Sequence, residues 1–157
     1  MTTYFVSGDQ LRQLAYGTTV TKSAVSLPQT ATTTLYTVSG GRILVTSLVG
    51  QVSTVIGGTA VTVALGTAPT VGTAATGGIA SATAVTSKEV GTFVSLNTSA
   101  GSALVVGGNA GASVNVNTNS ALVVSAGTIT WTTSATNTGQ MQWYLAYLPI
   151  DAGATVS

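Results

Sequence analysis

Apolar residues alternate with threonine, serine and glycine along most of the chain from Leu35 onward. The segment TAVTVALG alternates through Val61, Val63 and Leu65, and VGTFVSLN repeats the pattern. Because alternate side chains of a β-strand point to opposite faces, this period of two favours strands. The later runs SALVVGGN, ASVNVNTN and SALVVSAG are separated by Gly and Asn, which are typical of turns. The pattern predicts a succession of short strands.

The segment GRILVTSLVGQVSTVIGG carries apolar residues on both faces of a predicted strand. One face holds Leu44, Leu48 and Val52, and the other holds Ile43, Val45, Val49 and Val55. Such a strand is typical of the centre of a sheet that is buried on both faces, with a bend expected at Gly50. The Gly-, Ala- and Thr-rich residues 66–89 predict a long connection with one weak edge strand near Ile79–Val85.

The last two apolar segments, GTITWTTS and GQMQWYLAYL, hold both tryptophans of the chain. With SATNTG as the loop, they predict a hairpin folded about Asn137. Trp131 would then face Trp143, and Ile129 would face Leu145. Cross-strand aromatic and β-branched pairs contribute about 0.2–1 kcal/mol each relative to Ala–Ala. The residues expected in the structural core are Trp131, Trp143, Ile129, Leu145 and Tyr147.

About eight or nine short strands at this spacing predict an all-β fold, an antiparallel, jelly-roll-like β-sandwich. A parallel β-helix is the alternative, because chains rich in Gly, Thr and Val can also stack as coils. A solenoid requires a fixed repeat, however, and only SALVV occurs twice, at Ser102–Val106 and Ser120–Val124. The sandwich is therefore the favoured fold.

Residues 1–32 differ from the remainder and predict an N-terminal arm, with the sandwich domain formed by residues 33–157. SGDQLRQLAYG has a possible helix N-cap at Ser7 or Asp9, and Gly17 would end the helix after one short turn. The following TTVTKSAVSLPQTATTT favours an extended segment, with Pro28 disfavouring helix before it. Two placements remain open for this arm: docked on a neighbouring subunit, or folded back along its own domain.

Charge is unusually scarce in this chain of 157 residues. Lys and Arg number 4, Asp and Glu 3, and charged residues make up 4% of the chain, compared with about 25% in an average domain. With a net charge of +1, copies of the chain repel one another weakly. Its surfaces are therefore expected to contact other protein, including further copies of the chain in a symmetric homo-oligomer.

The residues that usually carry catalysis or bind metals are missing or scattered. The chain has no His and no Cys, so it lacks the usual base and the soft metal ligands. Asp9, Glu89 and Asp151 are far apart in sequence, and Lys88 lies beside Glu89 in a predicted turn. Four basic residues are too few to neutralise a nucleic-acid backbone. We expect no enzyme activity, cofactor, metal or nucleic-acid partner, although an enzyme assembled from distant residues stays an alternative.

The start MTTYFVSGDQLRQ lacks the basic and apolar regions of a secretory signal peptide. The longest apolar run, Tyr144–Ile150, is far shorter than the roughly 20 residues of a membrane helix. The expectation is a protein made in the cytoplasm without a signal peptide and without a membrane partner.

GRILVTSLVGQV, the Gly/Thr/Ala-rich centre and the ending TGQMQWYLAYLPIDAGATVS resemble small virion proteins of tailed bacteriophages, namely capsid decoration (cement) and similar minor structural proteins. The resemblance covers roughly residues 40–157. It implies a β-sandwich that trimerises on the capsid exterior and stabilises the shell by binding the major capsid protein. The contacts with the shell or the adjacent subunit would come from the arm, through Tyr4, Phe5, Leu11, Leu14 and Tyr16.

A tail-fibre or receptor-binding module of a phage is the alternative function. It would need an exposed aromatic or polar ligand site, which Tyr144 or Tyr147 could supply.

Overall fold

The structure is a computed structural model, and it describes residues 7–115 and 121–157. Tyr4 and Phe5, two of the predicted contact residues, lie outside the described residues. The described part of the chain forms one helix and eleven strands: α1 (Gly8–Tyr16), β1 (Thr18–Ser26), β2 (Thr32–Ser39), β3 (Ile43–Thr54), β4 (Thr62–Pro69), β5 (Ala75–Ala84), β6 (Phe93–Ser95), β7 (Val105–Val106), β8 (Leu122–Val124), β9 (Gly127–Thr133), β10 (Gln140–Pro149) and β11 (Thr155–Val156).

The strands form two antiparallel sheets that enclose one core. Sheet A has the order β1-β10-β3-β6-β7, with β8 also paired to β3, and sheet B has the order β11-β2-β9-β4-β5. The strand pairs are nested in sequence. The innermost pair is β4–β5, and around it follow β3–β6, β2–β9 and β1–β10. Nested pairs that alternate between two sheets are the arrangement of a jelly roll. The predicted all-β sandwich is confirmed, and the parallel β-helix is wrong.

Strand β3 lies in the middle of sheet A, where it pairs with β10 along most of its length. Its inward side chains Ile43, Val45, Leu48 and Val52 are buried, whereas the outward ones are half-buried. The prediction of a central strand is therefore confirmed, but only one of its faces belongs to the core. Strand β5 forms one edge of sheet B, which confirms the predicted edge strand near Ile79–Val85. The long connection expected over residues 66–89 is wrong in extent, since β4 continues to Pro69 and β5 begins at Ala75.

The predicted hairpin of the two tryptophan segments is wrong, because β9 and β10 belong to different sheets. Strand β9 pairs with β2 and β4, and β10 pairs with β1 and β3. Trp131 and Trp143 nevertheless meet, because each points inward from its own sheet. Their ring centroids are 5.9 Å apart with an interplanar angle of 81°, an edge-to-face arrangement favoured by aromatic rings. Both tryptophans lie in the core together with Ile129, Leu145 and Tyr147.

The predicted arm of residues 1–32 is not separate from the sandwich over its second half. Strand β1 pairs with β10 and forms an edge of sheet A, so this segment folds back along its own domain. Before it, α1 spans nine residues, longer than the single turn expected. Ser7 is its N-cap in a reciprocal capping box with Gln10, and Gly17 is its C-cap. The predicted boundary at residue 32 therefore assigns β1 to the arm, although β1 is an edge strand of the sandwich.

One end of the sandwich is held together by an ion pair between two turns. The Arg42 guanidinium donates to Asp151 from Nε at 2.9 Å and from Nη2 at 2.8 Å, and the Arg42 backbone N–H donates to Oδ2 at 2.7 Å. These hydrogen bonds hold the pKa of Asp151 at about 2, below its ordinary value of 3.8. The pair connects the β2–β3 turn to the turn that leads from β10 into β11.

Candidate interaction surface

Helix α1 presents its apolar residues to solvent. Leu11, Leu14 and Tyr16 are 54%, 79% and 67% exposed, and none of the α1 side chains that the structure describes is part of the hydrophobic core. A helix of nine residues is marginal in water by itself, since most helix stability in proteins comes from packing an apolar face. Leu11 and Leu14 therefore leave α1 without the apolar packing that usually stabilises a helix of this length.

The position of α1 is nevertheless set at its C-terminal end. The Thr46 hydroxyl on β3 donates to the Tyr16 carbonyl at 3.0 Å. Gly17 has φ of 86° and approaches β10 so closely that a Cβ atom there would lie 2.4 Å from the Tyr147 carbonyl oxygen. Only glycine combines this conformation with this approach. The chain therefore leaves α1 and enters β1 in one fixed geometry.

An open groove lies between the C-terminal end of α1 and the outer face of sheet A. Its volume is about 470 Å³, and its lining comprises Ala15, Tyr16, Thr19, Thr46, Ser47, Tyr144, Leu145 and Ala146. The lining combines two tyrosines and apolar groups with hydroxyls, and none of its described residues is charged. Its size lies within the range of about 300–1,000 Å³ that is typical of ligand sites. We call this feature the α1 groove.

Further apolar side chains cross the outer face of sheet A beyond the α1 groove. Leu148 on β10 lies opposite Leu44 on β3, which lies opposite Val123 on β8. Leu148 and Val123 are 38% and 63% exposed, and Leu44 is half-buried. We call these three residues the outer row. Together, the apolar residues of α1, the α1 groove and the outer row form an apolar surface on one side of the sandwich, and the charged residues of α1 are Asp9 and Arg12.

The charged residues of the loops serve structural contacts. Lys88 Nζ donates to the Gly107 carbonyl at 3.1 Å, and Glu89 accepts a hydrogen bond from the Ala110 N–H at 2.8 Å. Both side chains thus hold the loop after β7, with Lys88 half-buried and Glu89 exposed. Among the described residues, no group of three or more Asp or Glu side chains could hold a metal ion.

The two tyrosines that the sequence offered as ligand residues lie in different environments. Tyr147 is in the core, and its hydroxyl accepts a hydrogen bond from the Val156 N–H at 3.3 Å. It is therefore not available to a ligand. Tyr144 points outward from the same strand and lines the α1 groove. Of the predicted contact residues, the structure brings Tyr16 into the groove and leaves Leu11 and Leu14 on the exposed part of α1.

The sequence alone indicated Tyr144 of the α1 groove, but neither the outer row nor the groove residues Thr46, Ser47 and Ala146. Leu44 was expected to be buried because both faces of β3 are apolar. The available signal was the interruption of the outward face of β3 by Thr46, Ser47 and Gln51, which is unusual for a strand covered on both sides.

Comparison of the chain with protein-family models, with curated proteins and with solved structures gives no match. Within residues 7–115 and 121–157, no helix has the length and apolar character needed to cross a membrane.

Proposed function

We propose that this protein is a non-enzymatic structural component of a tailed-bacteriophage virion. It binds the outer surface of the capsid as a symmetric oligomer, with a trimer favoured, and stabilises the shell through contacts with the major capsid protein. The observation that carries this proposal is the exposed apolar surface formed by Leu11, Leu14 and Tyr16 of α1, the α1 groove and the outer row. Large exposed apolar surfaces on soluble proteins are typical of interaction sites.

The scarcity of charge supports the same function. Interfaces that are permanent are more apolar than transient ones, and charged residues are depleted at their centres. A chain with 4% charged residues matches such a surface over much of its exterior. A permanent place in a large assembly would bury the apolar groups that a freely diffusing monomer leaves in water.

The fold is compatible with this function but does not decide it. Jelly rolls occur in viral capsid proteins and also in lectins and cupins, so the architecture alone is an argument by analogy. The similarity of the segment Gly41–Val52 and of the ending to small phage virion proteins favours the first of these classes.

Labelling of intact particles tests the proposal. An antibody raised against the recombinant protein is applied to purified virions of the phage that encodes it and located by electron microscopy. We expect labelling distributed over the head, with none on particles from which the gene has been deleted. Absence of the protein from purified particles, or labelling confined to the tail, would contradict the proposal.

A receptor-binding module is the second candidate, and the α1 groove is the observation that favours it. Tyr16 and Tyr144 could stack against sugar rings, while Thr19, Thr46 and Ser47 could hydrogen-bond their hydroxyls. A glycan array probed with the wild type and with Tyr144→Ala distinguishes this function. Specific binding that the substitution abolishes would support it, and an array without specific binding would argue against it.

A further inference from the structure

We propose that α1 is a conformational switch: in the free protein it interconverts between a helix and an open chain while the sandwich stays folded. Only the helical form completes the α1 groove. The population of helical α1 therefore sets how tightly the apolar surface binds a partner. This inference deepens the proposed function, and its consequence for binding to the capsid rests on that function.

Helix α1 receives little stabilisation from the sandwich. Each of its side chains that the structure describes is exposed, and none of them belongs to the hydrophobic core. The element has nine residues, whereas isolated helices shorter than about 12–15 residues are marginal in water. We therefore expect the stability of α1 to be close to that of a free peptide with the same sequence.

Local interactions within α1 act in opposite directions. The Gln10 N–H donates to the Ser7 hydroxyl at 3.3 Å, and the Ser7 N–H donates to the Gln10 side chain at 2.8 Å, which favours the helix. Asp9 lies in the first turn, where a carboxylate interacts favourably with the helix dipole. Against these, Gly8 occupies the first helical position, and glycine loses more conformational freedom than any other residue. Small changes at these positions are therefore expected to shift the equilibrium either way.

The connection between α1 and the sandwich lies at the C-terminal end of the helix. The Thr46 hydroxyl donates to the Tyr16 carbonyl, and Gly17 then leads into β1. Strand β1 is paired with β10 from Thr18 onward. The helix can therefore open without breaking a strand pair and without uncovering the core.

The state of α1 determines whether the α1 groove is complete. Ala15 and Tyr16 form its wall on the side of the helix, whereas the wall formed by β3 and β10 belongs to the sandwich and stays in place. Opening of α1 removes the first wall and separates Leu11 from Leu14, which are neighbours only on the helix. A partner that recognises the complete surface binds the helical form, so its apparent dissociation constant rises as the helical fraction falls.

Amide hydrogen exchange of the free protein, followed residue by residue by NMR, tests the equilibrium. We expect the amides of residues 11–16 to exchange within about tenfold of the rate of an unstructured peptide. Amides of β3 and β10 should exchange at least about 1,000-fold more slowly than such a peptide, since they open only with the whole sandwich. Equal protection of α1 and β10 would overturn the inference, because α1 would then open only when the sandwich unfolds.

Two substitutions should shift the equilibrium in opposite directions. Ser7→Ala removes the N-cap and is expected to lower the helix–coil equilibrium constant about fivefold. Gly8→Ala should raise it by about two- to fivefold, because alanine is the better helix former and its Cβ would meet nothing within 4 Å. Gly108→Ala also adds a Cβ in open space and is the control, which should leave exchange in α1 unchanged. Exchange in α1 that responds to neither Ser7→Ala nor Gly8→Ala would overturn the inference.

Binding to purified capsids that lack the protein separates this inference from the proposed function. We expect Gly8→Ala to bind more tightly than the wild type and Ser7→Ala more weakly, by the factors by which their helical fractions differ. If no form binds capsids, the proposed function is wrong, whereas exchange still decides the equilibrium because it is measured on the protein alone. Equal affinities of Ser7→Ala and Gly8→Ala with unequal exchange would overturn the coupling between α1 and binding.

Discussion

Gly50 lies directly opposite Trp143 in the pairing of β3 with β10. A Cβ atom at this position would lie 2.9 Å from a carbon of the indole ring and 2.8 Å from a methyl group of Val94. The ring has little room to move, because it is fully buried and packs edge-to-face on Trp131. The glycine thus creates the space that the largest side chain of the core occupies.

We predict that Gly50→Ala destabilises the protein by about 1–3 kcal/mol, the typical cost of overpacking a core. At a strand position without this contact, alanine would instead be favoured over glycine by roughly 0.5–1 kcal/mol. Urea unfolding at pH 7 measures the difference, with Gly108→Ala as the control because its Cβ would meet nothing within 4 Å. A Gly50→Ala variant as stable as the wild type would show that the ring is free to shift.

At the scale of the elements, Asn137 fixes the connection between β9 and β10, which lie in different sheets. Its buried side chain donates from Nδ2 to the carbonyls of Gly57 at 3.2 Å and Thr59 at 2.6 Å. The Gln29 side chain donates to the Asn137 carbonyl at 3.0 Å and accepts from its N–H at 3.2 Å. The β9–β10 connection is thereby tied to the β1–β2 and β3–β4 loops as it crosses from sheet B to sheet A.

We predict that Asn137→Ala lowers the free energy of unfolding by about 1–3 kcal/mol, since two carbonyls lose their donor. Asn137→Asp should cost more, because a carboxylate cannot donate and would face those same carbonyls. Urea midpoints of both variants at pH 7 check this order. Asn109→Ala removes only an exposed hydrogen bond, from the Gly111 N–H to Oδ1 at 3.1 Å, and should cost less than Asn137→Ala. Equal midpoints for Asn137→Ala and Asn109→Ala would contradict the role of this connection.

At the scale of the whole molecule, the pair of Arg42 and Asp151 links the two sheets at one end. Asp151 follows β10 of sheet A, and the chain then forms β11, which pairs with β2 of sheet B. The turn before Arg42 packs tightly on this segment, since a Cβ at Gly41 would lie 2.5 Å from the Asp151 side chain. The ion pair thus fixes the segment between β10 of sheet A and β11 of sheet B against the β2–β3 turn.

Because of this ion pair, part of the free energy of unfolding depends on pH. The pKa of Asp151 is about 2 in the folded protein, below its ordinary value of 3.8. Because the folded-state pKa is the lower one, the stabilisation is complete above about pH 4 and is lost as the pH falls through 2. We predict that Asp151→Asn has a lower urea midpoint than the wild type at pH 6 and that the difference shrinks towards pH 2. The difference should also decrease with added salt, since both side chains are partly exposed. A difference that is the same at pH 6 and pH 2 would contradict the prediction.

Local properties of the sequence were sufficient to predict the class of fold and the residues at which α1 begins and ends. Alternation places Met141, Trp143, Leu145 and Tyr147 on one face of β10, whichever strand lies beside it. In the same way, Ser7 and Gly17 act on backbone groups a few residues away, so the caps of α1 can be recognised from sequence. The inward position of both tryptophans follows from the same local periodicity.

Strand pairing and the interaction surface were decided only by the tertiary structure. The loop between β9 and β10 satisfies the local criteria for a hairpin. Each of the two strands instead pairs over most of its length with strands far away in sequence, as β10 does with β3. The apolar residues of α1 and of the outer face of β3 could equally have covered each other. They do not, because Gly17 leads directly from the helix into β1 and the bond from Thr46 fixes the end of the helix beside the sheet. The sequence determined which side chains are apolar, and the three-dimensional path of the chain determined which of them remain uncovered.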